Sequence, residues 1–317
     1  VAGDTLVTGA TGFAGGHLID SLLTDGVRVH GWANPGGRAP DRSRTDVSWH
    51  TVDLLDRDAV RDALAAIEPS TIFHCAGVAD VQVASRAPGR ALRVNAIGTH
   101  HVLEAARTLG LDARILVTGS ALVYGSSEEP LTEEHPLAPV TQYGLSKLAQ
   151  EMVALESDVP VVLARPFNHA GPRQDPSYVT SAFARQLVDI EAGVLEPVIR
   201  VGNLDSRRDI TDVRDTVRAY RALIAGGVPR RPYNVCRGEA YRIRDLLDIL
   251  LSLSRVSVTV ETDPARLRPS DIPIVRGSPD RIASETGWRA TIPIERTLED
   301  LLQYWRHART LADSRPA

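Results

Sequence analysis

Tyr143 and Lys147 stand four residues apart in "TQYGLSKLAQ", a run with helical spacing, so their side chains share one face. A free phenol, with a pKa of about 10, is a poor acid–base catalyst near neutrality, and a neighbouring ammonium favours its phenolate. The pair is expected to move a proton, with Lys147 making Tyr143 more acidic. Lys147 is also the only lysine among the 36 Lys and Arg residues of the chain. Arginine brings the same charge on a planar fork, whereas lysine is a compact ammonium on a flexible stem. A site that keeps lysine where every other cation is arginine is expected to need the ammonium shape. Ser120 ends the strand-like run "ARILVTGS". Its hydroxyl could hold a substrate carbonyl or alcohol beside the Tyr143 oxygen; the plainer reading is a strand-end turn residue.

A second constellation opens the chain. In "TGATGFAGGH" the glycines Gly9, Gly12 and Gly15 follow a strand-like run and precede a helical one. Residues without Cβ allow a tight turn and a close backbone approach to a pyrophosphate, and the helix N-terminus presents free N–H groups to the anion. In that context the triplet predicts a dinucleotide site. Enzymes that take NAD usually carry an acid about twenty residues further on. Here the second strand ends at Ala33 and Asn34, neither acidic, with Arg38 and Arg42 beyond. Asn34, Arg38 and Arg42 could meet a 2′-phosphate, which favours NADP(H) over NAD(H), while NAD(H) stays possible. Asp53 in "TVDLLD" either accepts from an adenine amino group or caps the helix that follows.

These residues need a scaffold. "DTLVTG", "VRVHGW", "VSWHTV", "STIFHCAG", "ARILVTGS" and "VPVVLARP" read as strands. Helical patterns separate them: "GFAGGHLIDSLLTDG", "RDAVRDALAAIEP", a long helix "GRALRVNAIGTHHVLEAARTLG", and "TQYGLSKLAQEMVALES". Strands rich in Val, Ile and Leu that alternate with helices imply an α/β, Rossmann-like, doubly wound parallel sheet, with ligands at the strand C-termini. Beyond Pro166 the pattern loosens into turns, short strands and helices, the mark of a smaller α+β lobe. The expected division is a cofactor domain over 1–167 and a substrate lobe over 168–317. "TDVRDTVRAYRALIAGG" followed by "RPYNVC" brings the chain back to the first domain around 209–236.

Bulk properties narrow the function classes. A length of 317 residues with 43% hydrophobic and 24% charged content is that of an ordinary globular chain. Net charge −4 gives no global attraction for nucleic acid or an anionic membrane. No apolar run reaches the roughly 18 residues that span a bilayer. "VAGDTLVTGA" starts without Met, as a trimmed natural start would, and lacks the pattern of a signal peptide. Cys75 and Cys236 read as buried thiols, not a disulfide framework, so a cytoplasmic location is expected. No metal-ligand spacing stands out.

Taken together, the glycine loop, "DLLD", "FHCAG", "VNAIGT", "VTGSALVYG", "YGLSK" and "RPFNHAGP" resemble the extended short-chain dehydrogenase/reductases that act on nucleotide sugars. The resemblance covers nearly the whole chain. "VGNLDSRRDITDVRD" and "LRPSDIP...GSPDRIASETGW" are similar to the branch of GDP-mannose 4,6-dehydratases and GDP-4-keto-6-deoxymannose reductases, and "FNHAGPRQDPSYVTSAFARQLVDIEAG" is closer to the reductases. It implies cofactor contacts from Gly9, Thr11, Gly12, Phe13, Ala14, Gly15, Asn34, Arg38, Asp53, Leu54, Ala76, Gly77, Asn95, Tyr143, Lys147 and Pro166. It implies a nucleotide-diphosphate sugar as ligand, with contacts from Ser120, Asn168, Val179, Asn203, Arg208 and Arg268. The plainer reading of Arg208 and Arg268 is surface pairing with Asp205, Asp209 and Asp271. His169 follows the strand facing the nicotinamide, Arg173 is a further phosphate candidate, His74 reads as a core histidine, and His17, His100 and His101 read as helix-surface residues.

One departure bears on the reaction. The family's dehydratases carry a glutamate where "SALVYG" has Leu122, and leucine cannot move a proton. The resemblance therefore implies a 4-ketoreductase: hydride from NADPH to C4 of a nucleotide-linked 4-keto-6-deoxyhexose, most simply GDP-4-keto-6-deoxy-D-mannose to GDP-D-rhamnose. Ser120, Tyr143 and Lys147 would be its catalytic group. The alternatives are a dTDP-4-keto-6-deoxysugar reductase, a nucleotide-sugar 4-epimerase that holds NAD tightly, and a non-catalytic NADP-binding scaffold. By the same resemblance, the long helix after "FHCAG" and the Tyr143 helix are expected to form a homodimer interface.

Overall fold

The computed structural model describes residues 3–41, 43–266 and 272–313. The chain opens with β1 (Thr5–Thr8), α1 (Phe13–Thr24), β2 (Val29–Ala33), β3 (Val47–Thr51), α2 (Arg57–Ile67) and β4 (Thr71–His74). It continues through α3 (Val81–Arg86), α4 (Pro88–Leu92), α5 (Gly98–Thr108), β5 (Arg114–Thr118), α6 (Gln142–Glu156) and β6 (Val161–Pro166). The second half holds β7 (Asn168–Ala170), α7 (Val179–Glu191), β8 (Val198–Val201), β9 (Arg207–Asp212), α8 (Val213–Gly226), β10 (Pro232–Val235), β11 (Ala240–Arg242), α9 (Ile243–Ser252), β12 (Thr259–Thr262), β13 (Ile274–Val275), α10 (Asp280–Thr286) and α11 (Ile294–Asp313).

Seven strands form one sheet in the order β10-β6-β5-β4-β1-β2-β3, and every neighbouring pair is parallel. Apart from the edge strand β3, its strands are largely buried on both faces, which is why they read as near-continuous apolar runs. In β1, Leu6 and Val7 are both inaccessible yet belong to different cores: Leu6 packs with α2 and α5 residues, Val7 with α1 and α8 residues. Because all seven strands point one way, the loops after β1, β4, β5 and β6 share one rim, and that rim carries the site.

Helix ends follow local chemistry. The α1 helix closes at Gly26, whose φ of 70° suits a residue without Cβ. Asp56, not Asp53, caps α2 by accepting from Ala59 N at 3.0 Å. The helix expected after "FHCAG" differs in two ways. A separate α3 precedes it, with Asp80 accepting from Gln82 and Val83 N–H. Its body is interrupted by a π-turn over Arg93–Ile97 between α4 and α5, an irregularity often found at functional sites.

The second lobe has its own core of α7, α9 and α11 residues packed with β8 and β9. There β9 lies between β11 and β13 and pairs with β7 through its last residues, while β12 pairs with β8. No helix among the described residues is long and apolar enough to cross a membrane.

Candidate active site

The loop after β1 shows why its glycines matter. Gly9 has a φ of 66°, and a Cβ there would stand 2.8 Å from the Ala76 backbone. A Cβ on Gly15 would stand 2.2 Å from the Gly9 carbonyl, so α1 sits directly against the loop. Gly12 begins α1 with no side chain capping it, which leaves the first N–H groups of the helix for an anion. The cradle therefore fits a dinucleotide pyrophosphate on backbone alone. Thr11, Phe13 and Ala14 line it, partly exposed. Phe13 stacks on His169 with ring centroids 5.6 Å apart, joining the loop to β7.

His17 is a correction to the surface reading. It is partly buried, its Nε2–H donates to the Pro172 carbonyl at 2.8 Å, and burial, helped by Arg173, lowers its pKa to about 4. Arg173 itself pairs with Asp20 at 2.5 Å, as does Arg44 at 2.6 Å, so Arg173 is tied to α1. His101 is also no free surface residue: it bonds the Leu54 carbonyl at 2.8 Å, while His100 is exposed near Glu104.

Around the rim, Asn34 and Arg38 lie exposed in the loop after β2, beside a turn closed by Gly37 N to Asn34 O at 3.0 Å. Arg42 lies outside the described residues. Asp53 is exposed after β3 and accepts from Leu55 N at 2.9 Å, while Leu54 is buried against α5. The helix-cap reading of Asp53 fails because Asp56 already fills that role.

The Ser120, Tyr143 and Lys147 side chains converge on the same rim. Thr141 caps α6 by accepting from Gly144 N at 2.9 Å. Gly144 is so close to the 3₁₀ turn Ala121–Val123 that a Cβ would stand 2.2 Å from the Leu122 carbonyl. This contact sets Ser120 near Tyr143, where its hydroxyl, which accepts from Leu122 N at 3.1 Å, favours the phenolate. Lys147 is 4% exposed and donates to Thr118 O at 2.9 Å and to Gln150 Oε1 at 2.8 Å.

The electrostatics correct the expectation that Lys147 acidifies Tyr143. Burial pushes the phenol up to about 12, and the Ser120 hydroxyl only partly opposes this. The physical reason is partner choice: the ammonium points at Thr118 and Gln150. Burial in turn brings Lys147 down to about 8. Near neutrality the site thus holds a protonated phenol and a largely protonated amine, the state of a proton donor.

Asn95 sits in the π-turn, fully buried. Its Oδ1 accepts from Val78 N at 2.8 Å, and its Nδ2 donates to Val78 O at 3.2 Å and Ser146 Oγ at 2.8 Å. Both amide hydrogens are spent inside the protein, so Asn95 ties the loop after β4 to α6 and does not contact a cofactor through them. A Cβ on Gly77 would stand 2.7 Å from Asn95 Oδ1 and 3.4 Å from Lys147 Nζ, which makes Ala76–Gly77 the floor beside the amine. His74 is inaccessible at the end of β4, between Thr8 and Thr99. Cys75 follows β4, partly buried, and Cys236 is fully buried; both are free thiols.

Pro166 ends β6 on the same rim. The second-lobe candidates spread wider. Asn168 is exposed on β7, and Val179 is exposed at the start of α7, next to Tyr178, whose hydroxyl reaches the Ala79 carbonyl at 3.4 Å. Asn203 accepts from Asp205 N at 2.9 Å in the turn before β9. Arg208 donates to the Arg207 and Ile272 carbonyls at 2.9 and 2.8 Å. Two of the acids expected beside it have other partners: Asp205 pairs with Arg242, and Asp209 accepts from the Arg237, Gly238 and Gly277 N–H groups. Arg268 and Asp271 lie outside the described residues. Sequence reasoning missed Thr118, Gln150, Thr99 and Ser146. Only Gln150 carried a signal, three residues after Lys147 on the same helical face. Among the described residues no group of three His, Cys, Asp or Glu could hold a metal ion.

Known proteins resemble this chain over most of their length. The family model described as GDP-mannose 4,6 dehydratase matches residues 6–301. The GDP-6-deoxy-D-mannose reductase of Pseudomonas aeruginosa is 35% identical over 306 residues, 94% of this chain and 96% of that protein. The UDP-glucose 4-epimerase of Bacillus subtilis is 28% identical over 323 residues, 93% and 94% of the two chains. Among solved structures, RMD from Pseudomonas aeruginosa complexed with NADPH superposes with a TM-score of 0.83 at 32% identity, covering 97% of this chain and all of that one.

Proposed function

The chain belongs to the GDP-mannose 4,6-dehydratase family of extended short-chain dehydrogenase/reductases, and from that premise we propose that it reduces the C4 ketone of GDP-4-keto-6-deoxy-D-mannose to GDP-D-rhamnose. It is an NAD(P)-dependent enzyme of that family, and NADP(H) is its favoured cofactor. The observation that carries the reductase reading is Leu122. It packs against the buried group that contains Tyr143, so the site offers a hydrocarbon where dehydration would need a base.

The residues divide the work. The backbone of Gly9–Gly15 would hold the pyrophosphate, and Lys147 the nicotinamide ribose through its remaining N–H. The bound cofactor supplies the hydride. Ser120 orients the substrate oxygen, and Tyr143 gives its proton to the oxygen as the ketone becomes an alcohol. The Lys147 ammonium, turned toward Thr118 and Gln150, serves the reaction by holding the ribose and so the nicotinamide in place. Asn168, Val179, Asn203, Arg208 and Arg268 would receive the nucleotide diphosphate, the arginines on its phosphates.

A panel of GDP-, dTDP- and UDP-linked 4-keto sugars with NADPH or NADH tests this, with product stereochemistry read by NMR. GDP-4-keto-6-deoxy-D-mannose with NADPH is expected to turn over fastest. The similarity to a 4-epimerase supports a second reading. That reading predicts purified protein carrying stoichiometric NAD that does not exchange, and no need for added NADPH.

The same reading includes assembly. Leu92, Ile97, Leu145 and Met152 stand 43%, 45%, 49% and 59% exposed on the adjacent α4, π-turn and α6 segments. A second copy of the chain covering this stripe makes a homodimer, in the cytoplasm. The double variant Ile97→Glu/Met152→Glu should sediment as a monomer where the parent sediments as a dimer. A parent that is itself monomeric at micromolar concentration overturns the assignment.

A further inference from the structure

Lys147 lies at one end of a buried hydrogen-bond chain that the reaction itself does not use. Gln150 Oε1 accepts from Lys147, and Gln150 Nε2 donates to Thr99 Oγ1 at 2.9 Å. Thr99 Oγ1 gives its one hydrogen to the Asn95 carbonyl at 2.6 Å. It must therefore accept at its other contact, so His74 Nε2, at 2.8 Å, carries a hydrogen. His74 Nδ1 is then an acceptor, and it receives the Thr8 hydroxyl hydrogen at 2.9 Å. Thr8 Oγ1 in turn accepts from Ala76 N at 3.1 Å. One arrangement of protons satisfies every member, and Thr8, His74, Thr99 and Gln150 are all inaccessible to solvent.

The orientation of Gln150 follows from this chain. An amide that donates to Thr99 must turn its oxygen toward Lys147. An ammonium has three N–H donors; Thr118 O and Gln150 Oε1 take two, and one remains on the side of the Ala76–Gly77 floor. We propose that Gln150 is a positioning residue for Lys147, aimed by the one-way chain through Thr99 and His74 to Thr8, so that the third donor of the ammonium faces the cofactor. The catalytic consequence rests on the reductase reading above; the hydrogen-bond claim does not.

The groups facing the amine leave a clean background. From the β4 side these are His74, held neutral down to about pH 3 by burial, and Cys75, pushed up to about 12. Tyr143 on α6 is pushed up to about 12, and burial holds Tyr220 on α8 well above the usual phenol range. Glu151, on the next turn of α6, is paired with Arg165. Between about pH 5 and 10 His74, Cys75 and Tyr143 thus keep their charge while Lys147 titrates.

Because Lys147 is the only lysine in the chain, protein labelled with ¹³C,¹⁵N-lysine and carrying a lysine-free tag gives one side-chain signal, and its titration reads this site alone. Gln150→Leu removes an acceptor from the charged form and should move the midpoint down by about one pH unit or more. Gln150→Glu places a negative charge there and should move it up by a similar amount. Thr99→Val leaves Gln150 in place but unaimed, and should give a smaller downward shift. A purely structural role for Gln150 would lower stability without moving the midpoint. Unmoved midpoints in Gln150→Leu and Gln150→Glu overturn the proposal. Should the leucine variant not fold, the glutamate variant decides alone, a rise supporting the proposal and no change refuting it. No shift in Thr99→Val overturns the chain beyond Gln150. Wild-type protein that turns over no keto sugar with NADPH would sink the reductase reading, while the lysine midpoints would still decide the role of Gln150.

Discussion

Replacing Lys147 with arginine is expected to cut reductive turnover about a hundredfold or more, the scale of a misplaced reactant. The charge survives the change, but the shape does not. The amine sits 4% exposed between the Thr118 carbonyl and Gln150, with the Gly77 floor close by. A guanidinium fork spreads its donors in a plane and cannot meet two converging acceptors while leaving one N–H for the ribose. Sequence alone suggests that the fold tolerates this exchange of one cation for another; burial argues otherwise. Added bulk in a packed site costs about 1–3 kcal/mol, so the melting temperature of the arginine variant should drop. Lys147→Met, which keeps the length and removes the charge, separates the two effects: it should melt cooperatively and still lose turnover. Initial rates of NADPH oxidation and thermal melts by circular dichroism provide both readouts. In the parent enzyme the ammonium predominates below about pH 8, so turnover should decline as pH rises through that value. An arginine variant within about threefold of the parent, a gap of under 1 kcal/mol in barrier height, would refute the assigned role.

Gly15→Ala should be the most damaging single-methyl change in the cofactor cradle, and Gly16→Ala its harmless neighbour. A Cβ at position 15 lands 2.2 Å from the Gly9 carbonyl oxygen and 3.0 Å from its carbon, backbone atoms that cannot rotate away. A Cβ at position 16 finds nothing nearer than 3.7 Å, the end of the Arg173 side chain. To admit alanine at 15, α1 must withdraw from the loop after β1, which breaks the approach of the helix N-terminus to a pyrophosphate. Overpacking of this kind costs about 1–3 kcal/mol or more, and the displaced cradle should weaken NADPH binding at least tenfold, or about 1.4 kcal/mol. Gly16→Ala should match the parent in both respects, with a helix-propensity gain of about 1 kcal/mol at most. Fluorescence titration with NADPH and chemical denaturation provide the measurements. If the two alanine variants behave alike, the close-approach account of the third glycine is wrong.

Much of the scaffold was legible in residue order because its determinants are local. A positive φ at Gly9 and Gly26, the β-rich runs buried on both faces, and the four-residue spacing of Tyr143 and Lys147 are properties of short stretches. Periodicity and the absence of a Cβ report them directly. The sequence alone determined the parallel sheet, the phosphate loop and the identity of the two side chains that share a helical face. It did not determine what those side chains touch. Tertiary structure turned the Lys147 ammonium toward Thr118 and Gln150, spent the Asn95 amide on Val78 and Ser146, and stacked Phe13 on His169. It also raised the Tyr143 phenol where spacing alone argued for lowering it. The physical reason is the same in each case: desolvation and partner choice are sums over groups brought together from distant parts of the chain, and no window of neighbouring residues contains those sums.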